Sequence, residues 1–497
     1  DHLMTMQDTL KADSETWFRL VADIQATAFL NEWKPLNAEE PYDKKIHFDG
    51  NNHTISKLKF IGDSYPGFFG VLNGECKDVT FSDCKVHNNK ATACGILGGW
   101  AGTMSGLTAT LSNVRLDASC VVHSSGSQPC GGLFGCAAAV TVTDCRSAAS
   151  VTSTNPSDQT GAHGCGGLIG KVVKNDVTFT RCANTGSIDG TRLVGGLVGW
   201  SGNIIHFTDC RNTGSVTVAP GGSANGARGG GIIAHIQDGS SITRCSNSGA
   251  ITANTQAGGI VGYMEASNNI VVSQCFSTGN IRSKGNFAGG ICGYAASGQI
   301  SDCWTSGTIT VDQQGAGGIV GEIKSGYINA DYPDTRGQVL NCWSKAILTG
   351  KRVLGGIAGR CAHDGWNATA TDSQATSDIT ISHCIAWNPS ITATETGDSS
   401  NKSSSGAVVA YTYIKNTLSD CYRTPNLTFT GPYEGSHPVD QPNVSPDSPL
   451  TVGVAPTYQY PWHGKKAGVG MTVTSLAQSL GWSADIWDFS GSEPTLK

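Results

Sequence analysis

Charge is the first scarcity. Only 14% of the 497 residues are Asp, Glu, Lys or Arg, against roughly 25% in ordinary soluble domains. A chain this poor in charge is not a disordered polyelectrolyte. Its net charge of -6, from 39 acidic and 33 basic residues, leaves no basic excess to track phosphates, so nucleic acid is excluded as a partner class. Long apolar runs are missing as well. None approaches the roughly 18 residues that a membrane-spanning helix needs. The chain opens at Asp1-His2-Leu3-Met4 without a basic-plus-apolar leader. That fits a cytosolic protein, or an exported one whose signal has been removed. Two chemical spacings are also absent. No His is followed by Glu, so the His-Glu-x-x-His zinc site of metallopeptidases has no place here. No Cys-x-x-Cys occurs, and the cysteine spacing is too regular for a tetrahedral metal site. Neither a metal nor a cofactor is expected.

What the chain has instead is glycine, 65 copies of it, arranged in a repeat. A double glycine followed by two apolar residues recurs at Gly131-Gly132-Leu133-Phe134, Gly166-Gly167-Leu168-Ile169, Gly195-Gly196-Leu197-Val198 and Gly230-Gly231-Ile232-Ile233. It continues at Gly258-Gly259-Ile260-Val261, Gly289-Gly290-Ile291-Cys292, Gly317-Gly318-Ile319-Val320 and Gly355-Gly356-Ile357-Ala358, at intervals of 28 to 38 residues. A second signature runs in step with it: apolar, Ser or Thr, any residue, Cys. Examples are Val142-Thr143-Asp144-Cys145, Phe207-Thr208-Asp209-Cys210 and Ile300-Ser301-Asp302-Cys303. Alternation follows the Cys, as in Cys210, Asn212, Gly214, Val216, which puts one set of side chains on one face of a strand.

A repeat of this length cannot bury its apolar face alone, and stacking copies builds a narrow continuous core. The expected architecture is all-β, a single right-handed parallel β-helix, with one coil of three short strands per repeat. A helical solenoid fails on the glycine, threonine and valine content and on the lack of long 3.6-residue periodicity. The expected organisation is an N-terminal cap over residues 1–62, coils over 63–425, and a C-terminal loop and cap over 426–497. Trp17, Trp33 and a helix near residues 4–20 are expected in the first segment. A short helix at Ser475–Leu480, stopped by Gly481, is expected in the last, with Trp482 and Trp487 packing on the final coil.

The Gly-Gly-Leu/Ile-apolar-Gly repeats resemble the GLUG-motif family of exported bacterial β-helix proteins. The lead-in, with Trp17-Phe18-Arg19-Leu20, Trp33-Lys34-Pro35-Leu36 and Phe48-Asp49-Gly50-Asn51, is similar too, as is the closing Leu480-Gly481-Trp482 and Trp487-Asp488-Phe489. The resemblance implies a chain displayed at a bacterial surface, with signal or lipid anchor removed. GLUG repeats occur in surface proteins and adhesins and beside immunoglobulin-A metallopeptidase domains. The peptidase activity does not carry over, because its zinc motif is missing.

Three sets of residues could carry chemistry. Ten of the 18 cysteines fall in one column, at 84, 145, 182, 210, 245, 275, 303, 342, 384 and 421. In-register neighbours keep their Cβ atoms about 4.8 Å apart, beyond the roughly 3.5–4.5 Å of a disulfide. A ladder of buried thiols acting as small apolar groups follows. Cys130 and Cys165, each just before Gly-Gly, form the pair best placed for a bond. The residue before each column Cys is polar, with Asp144, Arg181, Asp209 and Arg244 alternating in sign. A charge-balanced surface stripe is the structural reading. A carboxylate pair for glycoside hydrolysis or lyase chemistry is the catalytic one. Against the latter stand ten Glu and no Asp-Asp or Asp-x-Asp.

The residue after each column Cys should face outward. There the later repeats carry Phe276, Trp304, Trp343, Ile385 and Tyr422. Phe276, Trp304, Trp343 and Tyr422 are the candidate ligand-binding residues, a strip suited to sugar rings or a host surface protein. The competing reading is that loops 322–337, 360–379 and 392–405 cover them. The expected function is therefore a binding or adhesion scaffold for glycans or host glycoproteins. The alternative is a carbohydrate-active enzyme, a polysaccharide lyase or glycoside hydrolase, on the same fold.

Overall fold

The computed structural model describes residues 6, 8–10, 15–26, 33–40, 42–61, 65–103, 105–154, 163–174, 177–219, 226–237, 239–265, 269–325, 336–363, 379–395, 405–412, 417–430 and 460–497. Two compact units divide the chain, residues 1–236 and 237–497. Each is built of stacked parallel coils.

In the first unit one coil runs through Leu193–Gly195, Val198–Ser201, Ile205–Thr208, Arg211–Asn212 and Val216–Val218. Its predecessor pairs with it strand for strand and in parallel: Cys165 with Val194, Ile169 with Val198, Val177 with Ile205, Ala183 with Arg211, Ile188 with Val216. The second unit repeats the plan. Cys292–Ala295, Gly298–Ser301 and Trp304–Thr305 pair in parallel with Val320–Ser325, Gly337–Leu340 and Trp343–Ser344. Each unit is thus a parallel β-helix, as the repeats predict.

Coils hold four or five strands rather than three, and the signatures mark the bends between them. Cys84 leaves the expected column: it aligns beside Cys120, while Val79 and Val114 hold the column position in the first coils. Before each of the other nine column Cys the residue takes positive φ, from 48° at Asp420 to 56° at Asp209. This left-handed corner separates Ile205–Thr208 from Arg211–Asn212, and the expected third strand is itself divided into Arg211–Asn212 and Val216–Val218. Asp and Asn tolerate that conformation better than most residues. The double glycine marks another bend. A Cβ on Gly195 would lie 1.9 Å from the Val198 carbonyl oxygen, and one on Gly196 would lie 2.0 Å from that of Gly231. Backbone of the same coil at Gly195, and of the next coil at Gly196, fills the space that a side chain would need.

The core is a set of in-register ladders. Phe179 stacks on Phe207 at 4.9 Å. Buried Asn184 donates from Nδ2 to Asn212 Oδ1 at 2.9 Å and also meets the Gly186 carbonyl at 2.9 Å. Asn212 repeats the local bond with Gly214, so the polar ladder is internally satisfied. On the surface, Arg181 clasps Asp144 with two bonds of 2.8 Å. This is the opposite-charge stacking expected at that pair.

The N-terminal expectation needs correction. Helical backbone is described only at residues 6 and 8–10, while Glu15–Arg19 is a strand pairing with Lys45–Ser56. Alternation decides it. Thr16 and Leu20 turn inward, whereas Trp17 is 67% exposed and stacks on His47 at 4.6 Å. Trp33 does pack inward. It is buried on Phe68 and donates from Nε1 to the Phe68 carbonyl at 3.1 Å. At the other end the helix is Val473–Ser479, with Thr472 as N-cap and Gly481 at φ +75° beyond it. It begins two residues before the expected start because Thr472 and Ser475 form a capping box.

Candidate functional site

Strands of two residues position the aromatic candidates. Phe276–Ser277, Trp304–Thr305, Trp343–Ser344, Ile385–Ala386 and Tyr422–Arg423 align in register, each following a buried Cys. Phe276 and Trp304 stack at 4.9 Å with planes 7° apart, and Trp304 and Trp343 at 5.4 Å and 11°. The expected column exists.

The expected open strip does not. Trp343 is only 1% exposed and Ile385 is fully buried. Their cover includes Val473, Leu476, Ala477, Trp482 and Trp487 from the C-terminal segment. Trp482 donates from Nε1 to the His383 carbonyl at 3.1 Å, and Trp487 from Nε1 to Asp302 Oδ1 at 3.4 Å. Lys345 meets Glu493 at 2.5 Å. The expectation that Trp343 faces solvent is corrected: residues of the C-terminal segment pack over it. Tyr422 is half-buried against the same segment. Trp304 is half-buried and packs against the same cluster, while Phe276, also half-buried, forms the less covered end of the column. The covering tryptophans lie along the outer side of the column and not on the final coil alone. Most of loops 322–337, 360–379 and 392–405 lies outside the described residues.

Asp302 reports how dry this edge is. Burial raises its carboxyl pKa above the usual value, although Trp487, Asn341 and Ser301 hydrogen bonds oppose the shift.

A second row in the same unit escaped the sequence reading. It consists of the residue directly after Gly-Gly-apolar-apolar-Gly or its Ala variant: Tyr263, Tyr294, Glu322, Arg360 and Tyr411, all in register. That position was the available signal, because it turns outward while its neighbours turn in. Tyr263 and Tyr294 stack at 5.0 Å and are half-buried. Glu322 is fully buried and held by Arg360 at 2.5 Å, with Lys324 at 3.9 Å. Burial, followed by the Glu322 charge, pushes the Tyr294 phenol up to about 12. The row offers stacking faces, phenol donors and one clamped carboxylate.

All 18 cysteines are buried and unbonded. Cys130 and Cys165 are in-register partners with sulfurs 3.5 Å apart. Cys94 aligns with Cys130 in that row, a member that the spacing did not reveal. Among the described residues, no cluster of three or more His, Cys, Asp or Glu is placed to hold a metal.

These features define a class: a β-solenoid whose coils present side chains in straight outward rows. No family model matches the chain. A stretch of 86 residues, 17% of this chain, is 36% identical to part of halomucin from Haloquadratum walsbyi. The match spans about 1% of halomucin's own length. Among solved structures, a candidate immunoglobulin A1 protease from Bacteroides ovatus aligns over 100% of this chain and 89% of its own, at 15% identity and a TM-score of 0.25. No helix among the described residues is long and apolar enough to cross a membrane.

Proposed function

We propose that the chain is an exported surface scaffold that binds glycans or glycoproteins through its outward aromatic rows. The observation that carries this reading is the Phe276–Trp304 pair, half-exposed and stacked at 4.9 Å on adjacent strands. Rings held by a rigid ladder cost little further entropy on binding, and sugar faces gain by stacking on them. Trp304 Nε1 is buried and has no acceptor among the described residues. The export reading draws on the GLUG-like repeats and on the likeness to part of halomucin. The binding strip is narrower than the sequence suggested, since Trp343 is covered.

A glycan array probed with the purified chain is the test. Retention of one or more glycan classes is expected, reduced about tenfold by Phe276→Ala or Trp304→Ala, with a melting temperature close to the parent's. An array without hits, or hits that neither substitution alters, would refute the reading.

The enzymatic alternative requires two carboxyl groups facing one groove. The described carboxylate in the tyrosine row is Glu322, and its ion pairs with Arg360 and Lys324 favour a positioning role over acid–base work.

A further inference from the structure

The first unit has its own outward row at the position after the glycine signature. Trp100, Cys136, Lys171, Trp200 and His235 are consecutive partners in register. Unlike the tyrosine row, this one contains no acid. Lys171 Nζ lies 4.5 Å from the centre of the Trp200 ring and has no carboxylate partner among the described residues. Arg228 Nη1 donates to His235 Nδ1 at 2.8 Å, adding a second cation beside the row. Trp100, Lys171, Trp200 and Arg228 are all half-buried, so each shows part of its surface to solvent.

The sizes along the row alternate usefully. Cys136 is short and only 3% exposed, between Trp100 on one side and Lys171 on the other. Coils stack about 4.8 Å apart, so two long side chains stand roughly 10 Å apart across this short one. Trp200 is held in place: a Cβ on Gly202 would come 2.5 Å from its Cη2 atom, so the indole edge lies directly over that glycine.

We propose that this row is a binding site for an acidic polysaccharide carrying carboxylates on its sugar rings. Sugar faces stack on Trp100 and Trp200, and ring carboxylates meet Lys171 and Arg228. Charge complementarity selects this occupant. A lysine without an acid partner, in a chain of net charge -6, is a local positive point on an otherwise acidic molecule. An indole beside a cation suits a ligand with an apolar face and an anionic edge. The inference rests on the glycan-binding reading but uses another face and names its ligand class.

Calorimetric titration with polygalacturonate oligomers, and with the same oligomers methyl-esterified, tests it. The free-acid form is expected to bind, and to bind more weakly as salt rises from 20 to about 500 mM. Methyl esters, Lys171→Gln and Trp200→Ala should each weaken binding about tenfold. Lys171→Gln removes the charge and shortens the side chain by a single atom, so its melting curve should match the parent's and a loss of affinity there reads binding alone. Failure to bind the acid form, equal binding of the ester, or indifference to Lys171→Gln would each overturn the inference. Array hits on other glycans would then leave the scaffold reading standing, and an empty array would remove both.

Discussion

Each column cysteine follows a residue at positive φ and points into the core, where its thiol makes weak bonds to carbonyls of its own and the neighbouring coil. Cys182 Sγ, for example, lies 3.4 Å from the Val142 and Thr180 carbonyl oxygens. Burial pushes the Cys145 thiol up to about 12. A buried neutral thiol is a poor nucleophile. The folded chain should therefore react negligibly with a thiol reagent at pH 8. After denaturation without reductant, at least ten free thiols should titrate, and a count near zero would disprove the ladder. Asp302 gives a pH-dependent prediction. Its folded pKa lies above the ordinary 3.8 because of burial. Its contribution to stability is therefore complete below about pH 3.8 and is lost as pH rises through the raised value. Asp302→Asn should raise the melting temperature at pH 7 by on the order of 1–3 °C, and the gain should vanish near pH 3. An unchanged difference across that range would contradict this account.

At the scale of elements, the C-terminal segment is the part whose role changes most. Its helix is legible from the sequence, since Gly481 supplies the stop, although the Thr472 cap and the earlier start were not read. What the helix covers is not legible, because nothing local in residues 467–496 names a partner more than a hundred residues away. Trp487 is fully buried and touches the column near Asp302. Trp487→Ala should cost about 3–5 kcal/mol, read as a lowered denaturant midpoint, and should increase binding of a hydrophobic dye at the uncovered Trp343 and Ile385. A stability loss below about 1 kcal/mol would show the segment to be a loose appendage.

At the scale of the molecule, each unit offers rows of outward side chains on a stiff frame, a form suited to display. In the Tyr263–Tyr411 row acid, base and phenol come together, and there Glu322 is clamped by Arg360. No release of reducing ends or unsaturated products is expected from a polysaccharide panel. Release that a Glu322→Gln change abolishes would reverse that conclusion.

The fold class was readable from the chain alone, because a glycine forced by backbone contact and a cysteine forced inward both recur at fixed positions in the coils from Gly131 onward. Their spacing carries the parallel stacking with it. Strand count per coil was less legible: φ at Asp144 or Asp302 is a property of the corner, and residue type only permits it. The rows after the glycine signature were present in the sequence but had no meaning until the coils placed Tyr263 beside Tyr294 and Lys171 beside Trp200. Exposure was beyond the sequence altogether. Trp304 and Trp343 occupy the same repeat position, yet the first is half-buried and the second sealed, since burial depends on the distant segment that folds over them. Tertiary structure alone decides that, because solvent is excluded by whichever surface arrives, whatever its separation along the chain.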